Sequence, residues 1–258
     1  MKTFRVLALV ILIPLLSPVR SLAQGYAGDQ ATVELYSLID KPTAGMLAKG
    51  SYAIWSNLYE QGGVLAGVSV GLFDRFSFGI SYGGTDIIGH NKIQMNPLPG
   101  VNVKLRLFEE SLMMPAIAIG FDSQGKEPYL DSLKRYTIKS PGFFAVGSKN
   151  YAILGNLSIH GGINYSLEHE DGDKDLDVFV GVEKSIGNSL SLLAEYDFAA
   201  NDNHFRALGQ GNGYLNLGLR FSAGGGLVIG FDLKDVSQNQ RNVKIGNRVV
   251  QIDYVGSF

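Results

Sequence analysis

The sequence predicts an all-β chain: a transmembrane, antiparallel up-and-down β-barrel of about twelve strands. Three observations predict it. Segment after segment alternates apolar and polar residues with period two. The links between those segments alternate between short and long, as the turns and loops of outer-membrane barrels do. An export signal opens the chain, yet no later apolar run is long enough for a spanning helix, so membrane residence requires a closed sheet.

At the N-terminus, Lys2 and Arg5 precede an apolar run over 6–16, and Ser21-Leu22-Ala23 supplies the small residues a signal peptidase reads. The run falls short of the roughly 20 residues a spanning helix needs. The expectation is a signal peptide over 1–23, a periplasmic N-terminal segment over 24–47 and a barrel over 48–258. The chain has no cysteine, which excludes a lipid anchor and a disulfide-stapled scaffold. With 33 glycines, 10% aromatic and 18% charged residues, composition suits tightly turned sheet better than a helical bundle. Loss of three cations, Lys2, Arg5 and Arg20, with the signal lowers the formal charge from −2 to −5, which argues against a nucleic-acid partner.

Taken in chain order, strands are expected at 48–59, 63–73, 76–85, 99–108, 113–122, 142–149, 155–168, 175–184, 189–199, 213–222, 226–235 and 247–258. The clearest is 189–199, where Leu190, Leu192, Ala194, Tyr196 and Phe198 alternate with Ser189, Ser191, Leu193, Glu195 and Asp197. A one-residue slip would turn every charge outward, and lipid-facing charge costs up to about 2 to 4 kcal/mol for Lys or Arg, less for acids. Long links fall at 86–98, 123–141, 200–212 and 236–246, short ones at 74–75, 109–112, 186–188 and 223–225; the first hairpin, near Gln61-Gly62, breaks the rule. Outward aromatics gather in two groups, Tyr52, Phe76, Phe221 and Phe258 at one rim and Tyr82, Phe121 and Phe198 at the other. An even strand count returns both termini to one side.

The last strand ends at Phe258, with Val250, Ile252, Tyr254 and Gly256 before it on the same face. Tyr254 and Phe258 are therefore expected to form a closing-strand signal read by the barrel assembly machinery. The inward positions collect Lys104, Arg106, His160, Glu183, Glu195, Asp197, Arg220, Asp232, Lys234 and Asp253. Opposite them stand small residues, Gly67, Gly71, Gly79, Gly83, Ala116 and Gly120. This lumen is the candidate site, either a path or cleft for an anionic or sugar-like solute or an ion-paired plug.

Three stretches, LIDKPTAGMLAKGSY (38–52), PAIAIGFDSQG (115–125) and VGSKNY (146–151), resemble the YjbH-type outer-membrane barrels associated with exopolysaccharide production. Pro42, Thr43, Ala44 and Gly50 fit the first pattern, and Pro115, Ala116, Ala118, Gly120 and Asp122 the second. The resemblance covers roughly a third of the mature chain of about 235 residues and implies an exopolysaccharide-related barrel. Read physically, Pro115 fits a strand only near its start.

Enzyme signatures are sparse. Ser158 and His160 share one strand face, but in the reverse order from barrel phospholipases and toward the lumen, with no third group or oxyanion donors identifiable. The acidic run 168–175 invites a calcium site but lacks the rest of an EF-hand loop, and is expected as a solvated hairpin loop. Ala223-Gly224-Gly225-Gly226 reads as a tight turn. No catalytic residue, metal site or cofactor is assigned. The leading expectation is an outer-membrane, porin-like channel for a small solute or saccharide, in contact with lipid and lipopolysaccharide. A structural or assembly component of an envelope complex is the alternative, and a lipid hydrolase the third reading.

Overall fold

A computed structural model describes residues 26–241, 243 and 246–258; the signal peptide and its cleavage site lie outside them. All twelve expected strands form, their ends within three residues of the expected ones. They are β1 (Ser51–Tyr59), β2 (Gly63–Phe73), β3 (Phe76–Thr85), β5 (Gly100–Phe108), β6 (Ala116–Asp122), β9 (Gly142–Ala152), β10 (Asn156–Tyr165), β11 (Asp177–Ile186), β12 (Leu190–Asp197), β13 (Tyr214–Gly224), β14 (Leu227–Leu233) and β15 (Arg248–Ser257). Three short strands lie within loops: β4 (Gln94–Met95), and the hairpin β7 (Lys126–Leu130) and β8 (Arg135–Ile138).

Each barrel strand pairs antiparallel with its neighbours, and β15 pairs with β1 from Ser51↔Ser257 to Leu58↔Val250, which closes the sheet. Closure leaves no edge strand with unpaired backbone groups. The period-two burial pattern follows at once. In β12, Ser191, Leu193, Glu195 and Asp197 point inward and are buried, while Leu192 faces out with Leu217 and Phe231 of the next strands. Apolar side chains thus cover the outside and polar ones fill the inside, the inverse of a soluble barrel. Aromatic contacts mark both rims: Tyr52 with Phe258 at 5.1 Å between ring centres, and Phe121 with Phe143 and Tyr196 with Phe198 at 4.9 Å each.

Short connections occupy one end and long ones the other. At the first hairpin, the exception on the long-loop side, Gln61 and Gly62 take φ of 57° and 60°, the left-handed pair that a tight hairpin turn demands. Two expectations need correction. The strand expected from 113 begins at Ala116, because Pro115 has no N–H to give the ladder; Leu112, Met113 and Met114 stand in an exposed turn instead. The link 123–141 is not open loop, since β7 and β8 fold it into a hairpin over the barrel mouth.

Candidate functional site: a lumen filled by the chain's own N-terminal segment

The segment expected in the periplasm, 24–47, runs inside the barrel over its described part. It enters at the short-turn end, where the Asp29 N–H bonds the Gly187 carbonyl at 2.9 Å, and climbs to a turn in which the Leu38 N–H bonds the Lys41 carbonyl at 2.9 Å. From there it descends to Gly50, whose N–H bonds Gly71 at 2.9 Å. Its apolar side chains explain the burial. Tyr26, Leu35, Leu38, Ile39 and Leu47 cluster against Ala53, Leu193, Val228 and Val255, and Ala44 packs among Ala118, Phe144, Val146 and Phe179. A segment with that many apolar groups gains more inside the lumen than in water.

The structure places all ten of the lumenal residues named from sequence on the inner face, each buried. Most of them hold this plug. Glu195 accepts the backbone N–H groups of Ile39, Asp40 and Lys41 at 2.9 to 3.2 Å, and the Asn216 amide at 2.9 Å, so its carboxylate caps the turn. Beside it the Lys41 ammonium sits 2.9 Å from Asp177 and 2.8 Å from Asp197. Lys234 reaches Asp40 at 2.9 Å and Glu127 of the mouth hairpin at 2.7 Å. Lys104 donates to three plug carbonyls, those of Tyr36, Thr43 and Gly45, at 2.6 to 3.0 Å. Arg106 donates to the Ala44 carbonyl at 2.8 and 3.1 Å and pairs with Glu34. Arg220 pairs with Asp232 at 2.5 Å and bonds Gln251 at 2.9 Å; Gln251 reaches Asp253 at 2.7 Å, and Asp253 accepts the Tyr26 hydroxyl. Glu183 accepts a hydrogen bond from Ser191 on the wall of the space at the short-turn end.

His160 also serves the plug. Ser148 accepts the Ala44 N–H at 2.9 Å and shares a hydrogen bond of 2.7 Å with His160 Nδ1. Ser158 instead donates to Asn150 at 2.5 Å. The pair weighed as a hydrolase dyad is therefore split between two partners.

The sequence reading missed the clasp over the mouth. Arg135 of β8, fully buried, reaches Asp171 at 2.6 Å and Asp202 at 2.5 Å, and Lys139 reaches Asp171 at 2.8 Å. Burial alone would raise the Asp171 carboxyl, but hydrogen bonds from Lys139 and the Asp173 amide, with the nearby charges of Lys139 and Arg135, hold it below the usual carboxylate range. The acidic run expected to be solvated is thus partly buried, Asp171 and Asp173 serving the neighbouring loops. No group of three or more potential metal ligands forms among the described residues. The available signal was Arg135 and Lys139 in a long loop, which the period-two reading does not weigh.

Space remains beside the plug. Toward the loop end, a cavity of about 70 Å³ lies between the plug and the inner face of β1, β2, β3 and β5, lined by Trp55, Asn57, Ser69, Ser77, Gly79, Ser81 and Asn102. Toward the short-turn end a second, larger space, about 420 Å³, is lined by Glu34, Arg106, Ser148, Ser158, His160 and Glu183. The arms of the plug that Lys104 fastens stand between them. The small residues of β6 do not line a passage: Phe144 fills the space over Gly120, and Ala44 that over Ala116 and Ala118.

Twelve antiparallel strands, an apolar outside and a polar interior define a transmembrane-type β-barrel whose lumen carries an internal plug. Two structures of the KdgM porin, one of them in complex with disordered oligogalacturonate, align with 81% of this chain and 99% of their own. Their TM-scores are 0.51 and 0.50 and their identities 10% and 9%. The Acinetobacter baumannii outer membrane protein Omp33 aligns with 81% of this chain and 97% of its own, with a TM-score of 0.43 and 8% identity. At such identities the likeness to KdgM speaks for the fold. No protein-family model and no curated protein sequence matches the chain, so the YjbH-type resemblance gains no support from them.

Proposed function

We propose that this chain resides in the bacterial outer membrane as a barrel that binds and admits a small polar, saccharide-like solute, with its own N-terminal segment as the gate. The observation that carries the reading is one-sided fastening. Charged side chains hold the plug to β5 and to the β11–β15 side, while polar space stays open along β1–β3. An outward apolar face with aromatic rims suits lipid and lipopolysaccharide surroundings. The Tyr52, Tyr254 and Phe258 rings, gathered where β15 meets β1, suit a signal read by the barrel assembly machinery. An exopolysaccharide-related cargo rests on the three YjbH-like stretches, and KdgM, of the same architecture, has been captured with a saccharide.

The chain contains no cysteine, so one engineered pair can test the gate. Ala44→Cys with Ser148→Cys joins plug and wall where the Ala44 N–H meets the Ser148 hydroxyl. In proteoliposomes the oxidised pair should block saccharide uptake and reduction should restore it. Equal uptake in both states would remove the gate. Wild-type uptake no greater than that of empty liposomes would defeat the channel and leave the structural or assembly role, which the density of buried plug contacts favours.

A further inference from the structure

We infer that the loop-end space is a subsite for an acidic sugar, with Trp55 as the stacking platform and Lys126 as the group that receives the sugar carboxylate. This deepens the solute reading above and rests on it for the route by which the sugar arrives.

The sheet makes room for the platform on purpose. Trp55 faces inward on β1 opposite Gly67 of β2. A Cβ at Gly67 would lie 2.5 Å from the indole, so only glycine lets the ring lie against the wall. The ring leans on one wall, packs beside the Tyr59, Leu65 and Val249 cluster, and carries the Lys126 ammonium over its face. Hydroxyl and amide groups surround it: Ser69 and Asn57 on the same wall, Asn102 and Gln124 across the space. The Asn57 carbonyl oxygen is buried and has no hydrogen-bond partner among the described residues, although the water exclusion around it makes an unmet acceptor costly. An apolar ring face ringed by short hydrogen-bonding groups matches a pyranose, which offers C–H groups on one face and hydroxyls at its edge.

Charge then selects among sugars. The space is bordered by Asp40, Lys41, Lys104, Asp122 and Lys126. Asp40 is taken up by Lys234, Lys41 by Asp177 and Asp197, and Lys104 by three carbonyls. Asp122 accepts the Asn102 amide at 3.0 Å and the Gln124 N–H at 2.9 Å. Lys126 is different. Its ammonium acts on Asp122 through space without a direct ion pair to any described carboxylate, and rests 5.0 Å from the centre of the Trp55 ring. A cation parked on an aromatic face, on a long flexible stem, can swing to the ring edge and pair with a carboxylate as a sugar takes its place. A neutral sugar would displace the cation without replacing that interaction.

Trp55 is the chain's single tryptophan, so its emission reports on this subsite alone. Folded, detergent-solubilised full chain is titrated with hexamannuronate and with maltohexaose. Hexamannuronate should change Trp55 emission saturably, with an apparent affinity about tenfold above that for maltohexaose. Lys126→Gln, on a partly exposed loop side chain, should remove most of that difference and keep the weaker neutral binding. Gly67→Ala should weaken both by moving the ring. No emission change with either sugar, tighter binding of maltohexaose, or an acidic preference unaltered in Lys126→Gln would overturn the subsite. Uptake by the same variants in proteoliposomes keeps the two readings apart: binding without uptake defeats the channel and leaves the subsite, and uptake without an emission response defeats the subsite only.

Discussion

The inner faces of β1–β3 and of β11–β15 belong to one continuous sheet, follow the same alternation and lie side by side at the β1–β15 seam, yet they carry opposite surfaces. On β11–β15 the inward positions include Asp177, Glu183, Glu195, Asp197, Arg220, Asp232 and Asp253; on β2 and β3 they include Gly67, Ser69, Gly71, Ser77, Gly79 and Ser81. The charged face grips the plug and the small face leaves space beside it. At Gly71 the small face touches the end of the plug closely, where a Cβ would lie 2.2 Å from the Ala48 carbonyl oxygen. Asymmetry of this kind lets one segment be anchored and a cavity be kept within a single lumen. Inverting it would leave buried charges without partners, which is far more costly than an empty polar space.

The largest test of this contrast removes a charge from the gripping side. Lys41→Met should strand Asp177 and Asp197 in the interior and lower unfolding stability by about 3 to 5 kcal/mol, with new protease cleavage inside 26–47. Unchanged melting and an uncut plug would mean that the grip does not depend on this cation. Arg106→Ala removes two bonds to the Ala44 carbonyl together with the Glu34 and Glu109 pairs, whose acid partners are about half exposed. The expected loss is smaller, about 1.5 to 3 kcal/mol, with a gain in solute uptake if the plug gates the lumen. A stability loss with no change in uptake would assign Arg106 to structure alone.

At the seam where the two faces meet, Tyr254→Asp places a carboxylate on the outer apolar face and deletion of Phe258 removes a ring contact with Tyr52. Both should reduce membrane insertion and the heat-modifiable fraction on unboiled gels; full insertion of both variants would remove the proposed assembly signal. Acid should act on the mouth before the walls. Because Asp171 is held below its ordinary range, its contribution is present above the unfolded value near 4 and is lost as pH falls through the depressed folded one. Hydrogen-exchange protection of 126–141, referred to the intrinsic rate at each pH, should therefore fall at low pH, and not in Asp171→Asn, where the clasp is already weakened. The smallest effect belongs to the small face. Ser69→Ala, bordering the loop-end space away from the plug's anchors, should change stability by no more than about 0.5 kcal/mol; a loss of several times that would show that this face too bears the plug.

Period two in the sequence determined the strands, their inward and outward faces and the closure of the sheet, because a residue's side in a strand depends only on its parity and the register is penalised at once by misplaced charge. The ten lumenal residues were legible for the same reason; the boundary at Pro115 was not, the expected strand starting two residues before it. What each charge meets was not legible. Glu195 and the Ile39–Lys41 amides are separated by about 155 positions in the chain, and nothing in local spacing says that the segment before β1 turns back into the barrel. Leu35, Leu38 and Ile39 fall at helical spacing, but Pro42 and Gly45 interrupt it and no strand alternation runs through the segment, so periodicity does not place it. Only the closed tertiary structure, with a polar wall whose charges require partners and a small wall that leaves room, decided that this segment is a plug and that Trp55 and Lys126 share the space beside it.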